Sequence, residues 1–378
     1  MHVIEDLPTP CVLIDQTRME QNLSRVSVRS SNVQIRPHTK THKSIELAKR
    51  QESLGAEGIT VAKVSEAEKF INHGFTDVRI AYPIVGTHQL ESIVNLSDKA
   101  HISFCIDTIE GAQCASSLLS KSGVEIDVLI EIDTGYGRCG VLYDHDNVIN
   151  IASRIQELDG LRLCGILTHE GNAYAANDLE HTMAEARDRM LDVANRLHEA
   201  LSIDPDSFEI SMGSTPSISV FKNKNKGPFQ ITELRPGNYI FNDLTQVMLG
   251  VCSLDECALT VLSTVVSHHR TSMGTERFIL DAGRKVLTSD LVAGNQDYGC
   301  ILYNPRTRTA HPHARITGLS EEHGWGAVQG GSTFTVGDKV QIIPNHACVV
   351  VNMVDLMYMV HESEILSTIT VDTRGCVI

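Results

Sequence analysis

The sequence predicts an α/β protein: an eight-stranded β/α barrel of the TIM type, with a second, mostly β domain after it. Three observations predict this. Eight apolar, strand-like runs alternate with helical patterns over about 210 residues, the number and spacing such a barrel needs. After about Asp243 the texture changes to short runs separated by Gly, Asn, Asp and Pro, an all-β pattern. No glycine-rich dinucleotide fingerprint follows the first strand, which weighs against a doubly wound open sheet. The expected domains are a barrel over 16–243 and a β domain from 1–15 plus 244–378.

In chain order, Thr9–Asp15 reads as a strand, and Met19, Leu23 and Val26 follow at near-helical spacing. The eight barrel runs are Val33–Lys40, Ile59–Val64, Asp77–Tyr82, Ile102–Ile106, Ile126–Ile132, Leu161–Thr168, Phe208–Met212 and Ile231–Leu234. Helical patterns lie between them at Ser65–His73, Thr108–Ser120, Asn147–Leu158 and Asp178–Leu201. Ser65 and Glu68 have the spacing of a helix cap with an acidic first turn. Later strands are expected at Val247–Val251, Ala258–Ser267, Arg277–Asp281, Phe334–Val336, Lys339–Ile343 and Val349–Met353. The early strand Val12–Ile14 precedes the barrel and is expected to join them.

Hydrophobic content of 42% and charged content of 21% are those of a soluble globular protein. A net charge of −15 argues against nucleic acid and against an anionic membrane surface. No apolar run approaches membrane-spanning length. The N-terminus lacks a basic region followed by an apolar core, so no signal peptide is expected. Ten cysteines without Cys-x-x-Cys pairs read as reduced thiols, and the expected compartment is the cytoplasm.

The chain is organised around Ile35–Ser44, Ile-Arg-Pro-His-Thr-Lys-Thr-His-Lys-Ser, at a strand-to-helix junction. Side chains at the C-terminal ends of barrel strands face the active site. A period of two would put Arg36, His38 and Lys40 on one face. Lys40, held beside Arg36 and partly desolvated, would lose its proton more easily and attack an aldehyde as a Schiff-base lysine. A solvated basic helix start is the plain alternative.

Strand seven ends in Ser211-Met-Gly-Ser-Thr-Pro216 and strand eight in Leu234-Arg-Pro-Gly-Asn-Tyr239. Either loop alone reads as ordinary turn chemistry. Two glycine-containing loops at these strand ends, with the Ser214 and Thr215 hydroxyls and free N–H groups, point to a phosphate site. Asp133–Gly140 ends strand five and presents Arg138, a rigid donor suited to an oxyanion, or else a surface arginine. Strand six ends in Leu167-Thr-His-Glu-Gly-Asn-Ala-Tyr174 and offers His169 and Tyr174; a single histidine at a strand end is more often a hydrogen-bonded structural residue than a catalyst. His346 and Cys348 lie in a late segment read as β, where residues i and i+2 share a face. Imidazole plus thiolate suits Zn²⁺, and less selectively Mn²⁺ or Co²⁺, with open positions left for water or substrate. A buried cysteine beside a structural histidine is the other reading.

Together these segments resemble the metal-dependent branch of the fold-type III pyridoxal-phosphate enzymes. That branch holds D-serine dehydratase, D-threo-3-hydroxyaspartate dehydratase and D-threonine aldolase, and is related to alanine racemase. The resemblance runs from Thr9-Pro10 to His346-x-Cys348, nearly the whole chain. It implies pyridoxal 5'-phosphate on Lys40, with Arg138, Tyr174, Ser214, Thr215, Arg235, Gly237 and Asn238 around it. It implies Lys40, His42 and His169 as catalytic groups and a divalent metal, zinc first, on His346 and Cys348. A small D-amino acid substrate and a homodimer are further implications. Either Tyr174, as the dehydratase-like Gly-Asn-x-Tyr suggests, or Arg235, as in alanine racemases, would face the pyridine nitrogen. Gly171-Asn-Ala-Tyr-Ala175 without a histidine, and cysteine in place of the aldolases' aspartate, favour elimination of water and then ammonia over carbon–carbon cleavage. A racemase of the same fold, a non-enzymatic pyridoxal-phosphate carrier, and a metal-binding barrel unrelated to pyridoxal are the rival readings. Asp281, Lys285, Glu322 and His323 sit in family-like segments without an assignable role.

Overall fold

The structure is a computed structural model and describes residues 3–29, 33–270, 276–292, 294–329 and 334–378. The chain divides into two compact units. Val26–Lys40, Leu47–Gly237 and Gly375–Ile378 form one; Met1–Arg25, Thr41–Glu46 and Asn238–Arg374 form the other.

The first unit is built on eight parallel strands. Their order is Gln34–Ile35, Glu233–Leu234, Glu209–Met212, Leu161–Leu167, Ile126–Asp133, His101–Ile106, Asp77–Pro83 and Ile59–Val61. A parallel bridge between His38 and Thr60 joins the two ends, and Thr60 N–H donates to Pro37 O at 2.8 Å. Strands sheathed by helices read as continuous apolar runs; Ile126–Asp133 is buried at seven of its eight positions. Thr108 caps helix Ile109–Leu119 by accepting from Gly111 N–H at 3.1 Å. Asp178 caps helix Leu179–Leu201 by accepting from His181 N–H at 2.9 Å. These short side chains satisfy amides that the first turn leaves without partners.

Two local expectations are corrected here. The run Val33–Lys40 is a strand only at Gln34–Ile35 and ends in a 3₁₀ turn at Thr39–Thr41. Pro37 has no N–H to continue the ladder. Ser65 does not cap its helix: the cap position is Lys63, and Ser65 Oγ donates to Ile378 O at 2.7 Å. Glu66, in the first turn, reaches back to accept from Ala62 N–H at 2.7 Å, ahead of the cap position.

The second unit centres on a mixed sheet. Strand Cys11–Asp15 runs antiparallel to Leu259–Arg270 and parallel to Leu356–His361. Lys339–Ile343 pairs with Leu259–Arg270 on its other side. Three runs expected to be strands are not. Val247–Val251 overlaps helix Leu244–Met248, whose cap Asp243 accepts from Gln246 N–H at 3.2 Å. Phe334–Val336 carries no strand. Val349–Met353 overlaps helix Ala347–Asn352. β-Branched runs favour strands only as far as packing allows.

Candidate active site

The C-terminal ends of the parallel strands gather the first set of expected residues. Lys40 lies in the 3₁₀ turn after the first strand. Arg138 follows strand Ile126–Asp133, His169 follows Leu161–Leu167, and Arg235 follows Glu233–Leu234. His38 feels all four: burial first, then the charges of Lys40, Arg235, His169 and Arg138, hold its imidazole well below the usual range. Burial and the positive charges of Lys40, Arg138 and Arg235 likewise push His169 down to about 3. Both rings are therefore neutral at pH 7, and the positive charge of this mouth resides on lysine and arginine. The His169 ring meets Tyr136 edge-on, with centroids 6.0 Å apart.

Arg36 does not stand beside Lys40 as a free cation. Its guanidinium is taken by Glu233 at 2.6 Å and Asp77 at 2.7 Å. Arg235 is buried; it donates to Ser211 Oγ and, at 2.6 Å, to Thr168 O. Arg138 is half-exposed and pairs loosely with buried Glu131 at 3.6 Å. Burial raises the Glu131 carboxyl against the pull of Arg138 and Arg235. Burial also raises Glu170, whose Oε2 accepts from Gly213 N–H at 3.1 Å. Tyr174 is half-buried in the 3₁₀ turn Gly171–Ala175.

This set fits pyridoxal phosphate. Thr215 Oγ1 is buried and has no hydrogen-bond partner among the described residues, as a hydroxyl kept for a phosphate oxygen would be. Gly213 has φ +116, and a Cβ there would lie 2.9 Å from Arg235 N. Only glycine fits that corner, and it keeps the backbone beside Ser214 and Thr215 open to an anion. Gly237, on the neighbouring loop, is buried.

The second unit carries the other expected residues: His42, Asn238, His346 and Cys348. His346 is not on a strand. It is the cap of helix Ala347–Asn352, in extended conformation (φ −142, ψ 107), and Cys348 is the second helical residue. The tilt of that first turn, not strand alternation, brings imidazole and thiol within hydrogen-bonding reach of each other. Burial opposes charge on both. Even so, the Cys348 thiolate with Asp243 and Asp290 lifts His346 above its usual range, and His346 with the Thr41 hydroxyl draws Cys348 below its own. Thr41 Oγ1 lies 3.2 Å from Cys348 Sγ. Among the described residues no group of three or more His, Cys, Asp or Glu is arranged to hold a metal. Imidazole and thiolate are both groups that a divalent metal takes as ligands, so the pair fits one.

Asn238 Nδ2 donates to Asp243 Oδ2 at 2.5 Å, while its Oδ1 is buried without a partner among the described residues. His42 is fully buried, and its Nδ1 accepts from Ser44 N–H at 3.1 Å. Sequence reasoning missed Glu131, Glu170, Asp243 and Asp290. The two glutamates sit beside singled-out strand ends and could have been found there. Asp290 is 56 residues from His346, and nothing in the spacing points to it.

Residues 14–244 match the family model of the alanine racemase N-terminal domain, and 258–360 match that of a serine dehydratase domain. D-threo-3-hydroxyaspartate dehydratase of Delftia sp. (strain HT23) is 33% identical over 90% of this chain and 91% of its own length. D-threonine aldolase of Arthrobacter sp. is 29% identical over 97% of this chain and 93% of its own. A solved structure of a cysteine-to-alanine variant of D-threo-3-hydroxyaspartate dehydratase, in its metal-free form, superposes with a TM-score of 0.88 at 28% identity, covering 98% of this chain and 99% of that one. The chain belongs to the alanine racemase N-terminal domain family, as a fold-type III pyridoxal-phosphate enzyme of the branch that joins this domain to a serine dehydratase domain.

Proposed function

We propose that the protein is a pyridoxal-phosphate- and divalent-metal-dependent lyase that eliminates water from a D-3-hydroxy amino acid, such as D-threo-3-hydroxyaspartate or D-serine. The observation that carries the reading is the His346–Cys348 pair, with a thiol at the second ligand position. A thiolate suits zinc, and the aldolases of this branch typically use aspartate there.

Lys40 Nζ would hold the cofactor, and its amine would take the proton from the substrate's Cα. The cofactor, when bound, supplies an electron sink for the Cα electron pair. Thr215 Oγ1, Ser214 and the Gly213 and Gly237 backbone would hold its phosphate, and Arg138 its phenolic oxygen. Two nitrogens of Arg235 already serve Ser211 and Thr168, which supports Tyr174 as the group at the pyridine nitrogen. His169, kept neutral at pH 7 by burial and the nearby cations, would serve near Lys40 as a hydrogen-bonding group rather than a charged one. His42, with its Nδ1 engaged by Ser44, is read as holding the Lys40 segment in place. His346 and Cys348 would hold the metal, which supplies a Lewis acid for the 3-hydroxyl and makes hydroxide a better leaving group. Loss of the Cα proton and the C3 hydroxide is loss of water; the enamine released then hydrolyses to a keto acid and ammonia.

The test is incubation of zinc-loaded protein with D-serine, D-threonine and D-threo-3-hydroxyaspartate. Ammonia with a keto acid, abolished by a chelator and restored by zinc, is expected. Glycine with an aldehyde would make the protein an aldolase; chelator-insensitive loss of stereochemistry would make it a racemase.

A further inference from the structure

The backbone around His346 is clamped from several sides. Asn345 is 2% exposed, and its Nδ2 donates to the carbonyls of Asp290 and Asp297, each at 2.8 Å. Thr245 Oγ1 donates to Asn345 O at 2.7 Å, and Ala347 N–H donates to Asp243 Oδ2 at 2.9 Å. Asp290, whose backbone Asn345 holds, places its Oδ2 2.8 Å from His346 Nδ1. The loop and the histidine corner therefore fix each other.

We propose that Asp290 is a positioning residue that locks His346 in the Nδ1–H tautomer and so directs the Nε2 lone pair at the metal. This rests on the reading of His346 and Cys348 as metal ligands. At 2.8 Å from a carboxylate oxygen, Nδ1 is the nitrogen placed to donate. Which ring nitrogen binds a metal is set by the bond the other one makes. Such outer partners fix the ring's orientation and raise its basicity, and losing one typically costs metal affinity. Asp290 places its Oδ2 on His346 Nδ1, the nitrogen that faces away from the metal in this arrangement. Asn345 anchors the backbone from which the Asp290 side chain projects, and the Asp290 carboxylate is held in turn by its bond to His346.

The test is zinc affinity of the full-length protein, by competition with a chromophoric chelator. Asp290→Ala, Asp290→Asn and His346→Ala are compared with the wild type. Asp290→Ala should weaken zinc binding roughly 10- to 100-fold. Asp290→Asn should recover most of that loss, since its Oδ1 still accepts from Nδ1–H. X-ray absorption of the zinc forms should report the same ligand set in wild type and Asp290→Asn. The lysine-bound pyridoxal band and the metal-free urea midpoint should match the wild type in both, which separates positioning from misfolding. Wild-type zinc affinity in Asp290→Ala overturns the inference. So does an Asp290→Asn variant as weak as Asp290→Ala, because the carboxylate would then act as a ligand or a charge. If His346→Ala keeps its zinc, the metal-site reading itself fails, and this inference with it.

Discussion

Replacing Glu233 by glutamine should destabilise the barrel far more than its position, away from any ligand, would suggest. Glu233 is 2% exposed. One oxygen accepts from Arg79 Nη1 at 2.5 Å and from Ser211 Oγ at 2.5 Å; the other accepts from Arg36 Nε at 2.6 Å. Arg79 is 0% exposed. Its Nη2 pairs with Glu209, whose side chain is 33% exposed, at 2.5 Å, and its Nε donates to Ser103 Oγ at 3.0 Å. Glu233→Gln removes the one buried negative charge between two buried guanidinium groups. Breaking a buried pair from one side costs about 3–5 kcal/mol, because the orphaned charge stays buried. For a unit of this size that is a fall in melting temperature of roughly 6–20 °C. The site should suffer too, since Ser211 links Glu233 to Arg235. The assay is urea and thermal unfolding of wild type and Glu233→Gln at pH 7, with the lysine-bound pyridoxal band as a second readout. The pH dependence gives an independent check. Burial opposes its charge, but Arg79, Arg36 and Arg235 outweigh burial and hold the Glu233 carboxyl at about 2, below its unfolded value. Its stabilisation is therefore present above the ordinary glutamate range and is lost as pH falls toward 2. A variant melting within two degrees or so of wild type, where the rule predicts several times that shift, would refute the view that this network holds the barrel.

Three further outcomes are expected. His101 is raised to about 9 by hydrogen bonds to Asp127 and Asp77, so its contribution is full below about pH 6.5 and fades as pH rises through 9. The difference in urea midpoint between wild type and His101→Ala should shrink over that window, and a constant difference would contradict it. Lys40→Ala should lose the lysine-bound pyridoxal absorption and all turnover; a purified variant that keeps both would remove Lys40 from its role. Gly213→Ala must adopt φ +116 and push its Cβ to 2.9 Å from Arg235 N. A cost of about 1–2 kcal/mol for the left-handed region alone should weaken cofactor binding roughly tenfold, measured by titrating the stripped protein with pyridoxal phosphate.

Periodicity carried the barrel far because parallel strands buried on both faces are unbroken apolar runs, as in Ile126–Asp133. The loops after those strands were legible for the same reason: the end of a strand decides which residues reach the mouth. Lys40, Arg138, His169 and Arg235 all came from that rule. It failed where a run is short and its partners are distant. Val349–Met353 looks like strand, yet Asp243, 104 residues before Ala347, accepts from Ala347 N–H where a helix starts instead. A local pattern cannot contain a partner that far away.

The sequence by itself determined the alternation of strands and helices in the first unit, the lysine segment and the His-x-Cys pair, because these are local in the chain. The tertiary structure alone decided that Arg36 serves Glu233 and Asp77, that both mouth imidazoles are neutral, and that His346 reaches Asp290. Those outcomes depend on burial and on charges brought together from remote segments, and neither exists until the chain has folded.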